Sequence, residues 1–324
     1  MIKDINLEKI YPVKQIWPAH ADHISGYKEW WIDEMFRTDS VVAQRKYDGE
    51  RMLIHFNGHN IYCTSRRISK KTNRYMENQD RLVNLPRLEG MKYTVIDCEC
   101  YSKDWSTIAG ILHSLPERAA ELQKNVEVKF ACFDCLYYDG KDITNLPYRN
   151  RLQYLLAVLM KLKNDGRFEF VEQYFVKSYN EAYKIAEQQW SLGREGIVIK
   201  SLDKLYYDKG AMLKLKRIET VDVVVYDYQQ GNGKYNNTIG ALLVGYYDPT
   251  TDTIKHLSKV NCGTDTDRYM WKTWFDKDIA KNKVLEVKCQ EITNKSLRHP
   301  VYIRVREDKD YKMCTKDTIF NEEE

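Results

Sequence analysis

The chain has 324 residues, of which 43% are hydrophobic and 30% are charged, a composition typical of a globular chain that can bury one or two cores. Its 51 basic and 47 acidic residues give a formal net charge of +4, which by itself does not indicate a polyanionic partner. No apolar stretch reaches the length of a membrane span, and the first residues lack a signal-peptide pattern, so we expect an intracellular protein.

Short runs with the residue types of β-strands recur through the first two thirds of the chain, and helical patterns interrupt them. The Asn57-Gly58 pair between two such runs is typical of a hairpin turn, so we expect antiparallel pairing there. An α+β fold is therefore predicted. The predicted strands are 41–43, 52–56, 60–64, 93–100 and 128–133, and the predicted helices are 116–124, 148–163 and 179–192.

After about Arg217 the pattern changes to five candidate strands with one helical stretch, which favours a small β-barrel. We therefore predict two domains, residues 1–218 and residues 219–324. The strands predicted in the second domain are 221–228, 241–247, 254–260, 284–292 and 301–306, and its helix is 271–281.

Eight cysteines lie in a chain too large for a small disulfide-stapled domain, and apolar runs surround them, so we expect reduced thiols. Cys132 and Cys135 form a Cys-x-x-Cys pair. In an extended strand these two side chains point to opposite faces, and no second pair at metal spacing accompanies them. We therefore expect no zinc or redox role for the pair.

The conspicuous tryptophans are predicted to pack inside the protein rather than to stack on bases, since aromatic side chains are mostly buried. They are Trp30, Trp31, Trp271 and Trp274. The seven histidines show no metal spacing that another feature supports.

Lys46 directly follows a strand-like run, and Gly49 behind it allows a tight bend. A lysine amine attacks phosphorus only when it is unprotonated, so a nucleophilic lysine requires desolvation or neighbouring cations. We therefore expect other basic residues to converge on Lys46. On its own this segment is a weak indication of catalysis, because Asp-Gly is a common turn pair.

Segments spread over nearly all of residues 41–309 resemble, in order, the motifs of the ATP-dependent DNA ligases, which belong to the covalent nucleotidyltransferase superfamily. The Asp-x-Glu segment has Cys98 where the family usually has glycine. The segments are Lys46-Tyr47-Asp48-Gly49-Glu50-Arg51, Ser65-Arg66-Arg67, Asp97-Cys98-Glu99, Phe133-Asp134-Cys135-Leu136-Tyr137, Glu195-Gly196-Ile197-Val198-Ile199-Lys200, Leu213-Lys214-Leu215-Lys216 and Arg304-Val305-Arg306-Glu307-Asp308-Lys309.

The resemblance implies a nucleotidyltransferase domain with ATP-grasp-like antiparallel sheets and helices, followed by a β-barrel OB-fold domain. It implies that Lys46 attacks ATP to form lysyl-AMP, and that the adenylate then activates the 5′-phosphate of a DNA nick for sealing by the 3′-hydroxyl. An enzyme of this kind serves DNA repair, replication and recombination. We expect a monomer that acts on nicked duplex DNA with ATP and Mg²⁺.

The resemblance also assigns site residues. Glu195, Glu99 and Asp134 are the predicted ligands of Mg²⁺, which prefers hard oxygen donors. Phe133 would stack on the adenine, Gln44 would contact the base edge, and Glu99 would contact the ribose. The predicted nucleotide contacts are Gln44, Arg51, Arg66, Glu99, Phe133, Lys200, Lys214, Lys216, Arg306, Asp308 and Lys309.

Three alternatives remain open at this point. An RNA ligase and an mRNA-capping guanylyltransferase also use a covalent lysine, although Tyr47, the Glu50-Arg51 pair and the Arg-x-Asp-Lys ending at Lys309 resemble DNA ligases more closely. A non-catalytic homologue would bind nucleic acid without becoming adenylated.

Overall fold

The protein is described from a computed structural model, which covers residues 16–58, 60–69, 73–86, 92–293 and 296–320. The prediction about a signal peptide concerns residues outside these ranges. The chain divides into two compact units between Leu215 and Lys216. Within the described ranges, no helix combines the length and the apolar character that a membrane crossing requires.

The first unit has two β-sheets with helices packed on them, so the α+β prediction is confirmed. Its helices are α1 (Glu29–Thr38), α2 (Trp105–Leu112), α3 (Pro116–Leu122), α4 (Tyr148–Leu162) and α5 (Tyr179–Ser191). Its strands are β1 (Asp22–His23), β2 (Val41–Lys46), β3 (Glu50–Phe56), β4 (Ile61–Ile68), β5 (Tyr75–Glu77), β6 (Thr94–Tyr101), β7 (Lys129–Tyr138), β8 (Lys141–Asp142), β9 (Phe168–Phe170), β10 (Gln173–Val176), β11 (Gly196–Ser201) and β12 (Met212–Lys216), which ends at the boundary.

Sheet 1 has the strand order β1-β12-β11-β2-β10, and sheet 2 has the order β5-β4-β3-β6-β7-β8, with β9 beside β7. β3 and β4 pair antiparallel, as predicted from the Asn57-Gly58 pair. Successive strand residues point to opposite faces, so Met52 and Ile54 of β3 join the core beneath the helices. Leu53 joins another core with Met212 of sheet 1. Sheet 2 is therefore covered on both faces.

Local side-chain signals explain where the helices of this unit begin. The carboxylate of Asp104 and the hydroxyl of Ser178 each accept a hydrogen bond from a backbone N–H three residues later, at the starts of α2 and α5. Helix α4 buries Leu155, Val158 and Leu162 at helical spacings. The helices predicted at 148–163 and 179–192 are confirmed to within one residue.

The two adjacent tryptophans of α1 have different surroundings. Trp31 packs against the core of sheet 1. Trp30 is 64% exposed, so the prediction that it packs inside the protein is wrong. Neighbouring helical residues point about 100° apart, and α1 turns only one of the two rings inward.

β7 contains a bulge at Phe133. Residues 97 and 98 of β6 lie opposite residues 134 and 132 of β7, which leaves Phe133 without a partner on β6. The extra residue places Cys132 and Cys135 in the same core, so the prediction that they point to opposite faces is wrong. All eight cysteines are buried free thiols.

The elements of the second unit are β13 (Glu219–Gln230), β14 (Ile239–Asp248), β15 (Thr253–Val260), β16 (Val284–Cys289), β17 (Glu291–Thr293), β18 (Ser296–Arg298), β19 (Val301–Val305), α6 (Asp265–Asp276) and α7 (Lys316–Phe320). Five of its strands form an antiparallel sheet with the order β15-β14-β13-β16-β19. Its helix α6 begins at Asp265 rather than at the predicted 271, because Thr264 and Asp267 form a capping box. Trp271 is fully buried in this core and Trp274 is partly buried, as predicted.

Candidate active site

Lys46 is the last residue of β2, and its ammonium group meets a carboxylate. β2 pairs antiparallel with β11, with Lys46 opposite Gly196, so Glu195 at the entrance of β11 lies beside the lysine. The distance from Lys46 Nζ to Glu195 Oε2 is 2.6 Å, and the two side chains are 21% and 11% exposed. Strand register thus joins two segments that are 149 residues apart in the chain.

Three predicted cations act on His20, and their convergence on Lys46 stays a prediction. The pKa of His20 is lowered, first by burial and then by the charges of Arg66, Arg51 and Lys214. Arg66 Nη1 also donates to His20 Nδ1 at 3.2 Å. Three predicted phosphate contacts therefore meet in one region, whereas Lys46 itself is paired with a carboxylate. No sequence signal had indicated His20.

Arg51 is fixed by the buried carboxylate of Asp97. Arg51 Nε and Nη2 donate to the two carboxylate oxygens at 2.9 and 2.6 Å. Arg51 Nη1 donates to the carbonyl of Ala19 at 2.6 Å, and the Tyr206 hydroxyl donates to Asp97 at 2.6 Å. Burial alone would lower the pKa of Arg51, but the charge of Asp97 raises it above its ordinary value. Such a bidentate pair fixes the orientation of the guanidinium.

The ring of Phe133, at the bulge of β7, lies close to two cations. Lys200 Nζ is 4.4 Å from the ring centroid and Arg51 Cζ is 5.2 Å from it. Lys200 Nζ also donates to the carbonyl of Phe133 at 3.4 Å. Burial lowers the pKa of Lys200 to about 7. Lys200 therefore supports Phe133, and its contact with a phosphate stays a prediction.

The hydroxyl of Tyr148 connects residues of both sheets. It donates to the carbonyl of Phe133 at 2.6 Å and accepts a hydrogen bond from Gln44 Nε2 at 2.7 Å. Gln44 Nε2 also donates to Gln173 Oε1 at 3.0 Å, so both amide donors of Gln44 bind protein groups. The contact of Gln44 with a base edge stays a prediction. Tyr148 was missed in the sequence because no local pattern shows that it reaches β2.

The carboxylate of Glu99 interacts electrostatically with Lys46 and with the carboxylate of Glu195. Burial raises the pKa of Glu99 to about 7, while Lys46 and Arg51 oppose this shift and Glu195 adds to it. Two carboxylates fit Mg²⁺, which binds few protein ligands and completes its octahedron with water and substrate phosphates. Among the described residues, no group of three or more His, Cys, Asp or Glu is suited to a metal ion.

Asp134 is engaged in a buried ion pair instead. Its two oxygens accept hydrogen bonds from Arg151 Nε and Nη2 at 2.8 and 3.0 Å, and both side chains are almost completely buried. Its Oδ1 also accepts from the backbone N–H of Cys135 at 2.8 Å. Because Arg151 occupies this carboxylate, the structure gives no support to the prediction of Asp134 as a magnesium ligand.

The remaining predicted contacts lie in the second unit. Lys216 Nζ donates to a glutamine amide oxygen at 3.2 Å. Arg306 Nη1 and Lys309 Nζ are 3.0 and 2.9 Å from one oxygen of Asp222, and Arg306 also binds Asp308 through two hydrogen bonds of 2.8 Å. Three predicted residues therefore form one cluster around Asp222, which sequence reasoning missed.

Gly49 allows the loop after β2 to approach β6. A Cβ atom at this position would lie 2.3 Å from the backbone oxygen of Cys100. Because a backbone oxygen in a sheet cannot easily move aside, we expect Gly49→Ala to destabilise the protein by about 1–3 kcal/mol in urea unfolding. Gly110→Ala is the control, since α2 leaves open space around Gly110 and alanine favours a helix. Equal stability of the two variants would contradict the close approach of Gly49 to the backbone of Cys100.

The raised pKa of Glu99 makes its contribution to stability depend on pH. Between about pH 4.5 and pH 7 the carboxylate ionises in the unfolded chain but stays protonated in the folded protein, so ionisation opposes folding increasingly as pH rises. We therefore expect Glu99→Gln to stabilise the protein above pH 7, by about 1–3 kcal/mol, and to have little effect near pH 4.5. Urea unfolding from pH 5 to pH 8 measures this difference. The exposed Glu187→Gln is the control, and parallel profiles for Glu99→Gln and the wild type would refute the assignment.

A family model described as the ATP dependent DNA ligase domain matches residues 26–216, which include Lys46, Glu195 and Lys214. A DNA ligase of Methanopyrus kandleri is 25% identical over 343 residues, covering 95% of this chain and 58% of that protein. A DNA ligase of Sulfolobus acidocaldarius is 30% identical over 239 residues, covering 68% of this chain and 39% of that protein. The chain therefore spans about half the length of these curated relatives.

A solved structure of a Lig E DNA ligase aligns with this chain at a TM-score of 0.65 and 19% sequence identity. The alignment covers 90% of this chain and 100% of that one. At this identity the likeness concerns the fold alone, so this chain shares with that ligase its mixed α+β arrangement of sheets and helices.

Proposed function

The chain belongs to the ATP-dependent DNA ligases, and from this membership we propose that it seals 5′-phosphate/3′-hydroxyl nicks in duplex DNA through a lysyl-AMP intermediate on Lys46. The observation that carries the proposal is the position of Lys46, whose amine lies 2.6 Å from Glu195 at the end of a strand. Sheet 2 supplies Arg51, Glu99 and Phe133 to the same region.

In the first step Lys46 gives up the proton of its ammonium group, and the neutral amine attacks the α-phosphorus of ATP, so that a nitrogen–phosphorus bond forms and pyrophosphate leaves. Arg66, Arg51 and Lys214, whose charges converge on His20, supply positive charge for the phosphates. Glu195 and Glu99 would hold Mg²⁺, which when bound neutralises phosphate charge. Phe133 would stack on the adenine, a role supported by its position at the bulge.

In the second step the adenylate passes from Lys46 to the 5′-phosphate of the nick, and the lysine nitrogen is the leaving group. In the third step the 3′-hydroxyl attacks this activated phosphate, AMP leaves, and a phosphodiester bond forms. Alignment and charge neutralisation supply most of the catalysis in such transfers. The pair of Arg51 with Asp97 suits this task because it keeps a cation in one orientation.

We assign residues 1–218 to a nucleotidyltransferase domain and residues 219–324 to an OB-fold domain. The OB-fold is supported by five antiparallel strands with register shifts in the β13–β14, β14–β15 and β16–β19 pairings, since bulges bend strands as barrel formation requires. The cluster of Arg306, Asp308 and Lys309 is proposed to align the pyrophosphate leaving group. The protein would act as a monomer on nicked DNA inside the cell.

A sealing assay tests the proposal. Singly nicked duplexes of DNA, RNA and DNA–RNA hybrids are incubated with the protein, Mg²⁺ and either ATP or GTP, and covalent labelling by each nucleotide is followed in parallel. We expect labelling by ATP and sealing of nicked DNA. Sealing of RNA alone would make the chain an RNA ligase, and labelling by GTP alone would make it a guanylyltransferase. Binding of nicked DNA without any labelling would identify a non-catalytic homologue.

A further inference from the structure

A cavity of about 270 Å³ opens in the first unit at the start of α1. Three aromatic residues and three lysines line it, and among the residues that the structure describes no carboxylate belongs to its lining. The lining residues are Gly26, Tyr27, Lys28, Trp30, Trp31, Lys204 and Lys209. Aromatic faces together with three ammonium groups suit a flat ligand that carries negative charge.

Contacts within the protein hold one wall of the cavity in place. The ring centroids of Tyr27 and Trp31 are 4.3 Å apart, and the Tyr27 hydroxyl donates a hydrogen bond to Asp22. Trp31 also lies against Gly210, where a Cβ atom would meet its ring at 2.3 Å and where φ is +69°. Contacts from two separate segments therefore hold the Trp31 ring, so a ligand would not have to order it.

The other groups of the cavity are open to solvent. Trp30 is 64% exposed, although an aromatic ring gains most from burial. Lys28 and Lys209 are exposed, and Lys204 Nζ lies 5.6 Å from the ring centroid of Trp31. The volume lies just below the range of about 300–1,000 Å³ that is usual for small-molecule sites. One nucleotide unit matches this size and chemistry, because its base has a π-face and its phosphate is an anion.

We propose that this cavity is a nucleoside phosphate site, in which a base stacks on Trp30 and a phosphate pairs with Lys204 and Lys209. The unit would come either from an unpaired strand of nucleic acid or from a free nucleotide, since a paired base cannot enter. The lining residues are not among those proposed for sealing. Binding of a ligand in this cavity therefore does not depend on the adenylation of Lys46.

Photo-crosslinking locates the ligand directly. The first probe is a single strand of about eight nucleotides that contains 5-iododeoxyuridine and ends in a 5′-hydroxyl, so it cannot accept an adenylate. The second probe is 5-iododeoxyuridine monophosphate. After irradiation of the full chain and trypsin digestion, we expect the crosslink on residues 29–37, which contain Trp30 and Trp31. Capture of the strand alone assigns an unpaired strand as the source, and capture of the monophosphate shows that a free nucleotide suffices.

Binding of the same two probes to variants tests the roles of the side chains. We expect Trp30→Ala to weaken binding of the strand roughly tenfold, since a stacked base contributes that much or more. The double variant Lys204→Ala/Lys209→Ala should reduce the dependence of log affinity on log salt by about 0.7 per lysine. Phe175→Ala is the control, because Phe175 is 76% exposed and lies outside the cavity.

The outcome is separable from that of the sealing assay, because that assay measures labelling of Lys46 and joining of strands, whereas the crosslink reports binding at residues 29–37. Trp30 is largely exposed, and its removal is not expected to unfold the protein. Wild-type binding of both probes by Trp30→Ala and by the double lysine variant would overturn the proposal. A crosslink confined to other peptides would overturn it as well.

Discussion

Lys46→Ala is expected to abolish covalent labelling of the protein by ATP that carries a radioactive α-phosphate. Alanine has no nucleophile, and no water molecule can replace the lysine in forming a bond between protein and nucleotide. Loss of a covalent nucleophile typically lowers turnover by about 10³-fold or more, so labelling and sealing should both fall below detection. Gel autoradiography after incubation with ATP and Mg²⁺ measures the result.

Lys46→Arg separates the chemistry from the structure of the site. Arginine keeps a positive charge within reach of Glu195, which Lys46 contacts at 2.6 Å, but its guanidinium stays protonated and is a poor nucleophile. We expect this variant to fold normally and to take no label. The exposed Lys184→Ala on α5 is the positive control. Wild-type labelling of Lys46→Ala would refute the assignment of the nucleophile.

Asp134→Ala is expected to lower the free energy of unfolding by about 3–5 kcal/mol, because it leaves the buried Arg151 guanidinium without its partner. Replacing both residues, as Asp134→Leu/Arg151→Met, should restore most of this stability, since apolar side chains of similar size carry no desolvation penalty. Urea unfolding of the two variants measures both effects.

An exposed ion pair provides the control for Asp134. Asp203 pairs with Arg149 at the surface, and Asp203→Ala should cost no more than about 1 kcal/mol. The same variants decide between the two roles considered for Asp134. If Asp134 were a magnesium ligand, the Asp134→Ala variant would keep its stability and would need more Mg²⁺ for labelling by ATP. That pattern would contradict the structural role assigned here.

Patterns that are local in sequence predicted much of the fold. The helices predicted at 148–163 and 179–192 agree with the structure to within one residue, because helical spacing is a pattern of neighbouring residues. The start of α6 was placed too late, although its signal was also local. Thr264 and Asp267 form the capping box with which the helix begins at Asp265.

Features that depend on distant residues could not be predicted in this way. The bulge at Phe133 arises from pairing between β6 and β7, and it reverses the expected orientation of Cys132 relative to Cys135. The motif that contains Asp134 predicted this residue to be a magnesium ligand, but only the structure shows that Arg151 is bound to it. Motif resemblance selected the residues near the site, and strand register determines which of them touch.

The hydroxyl of Tyr148 has a consequence for changing the nucleotide preference of this protein. It accepts a hydrogen bond from Gln44 and donates one to the backbone of Phe133, so the group predicted to contact the base and the group predicted to stack on it share one anchor. Replacing Gln44 alone would remove one hydrogen bond from Tyr148 and one from Gln173. A library aimed at another base should therefore vary Gln44, Tyr148 and Gln173 together, as a single unit of design.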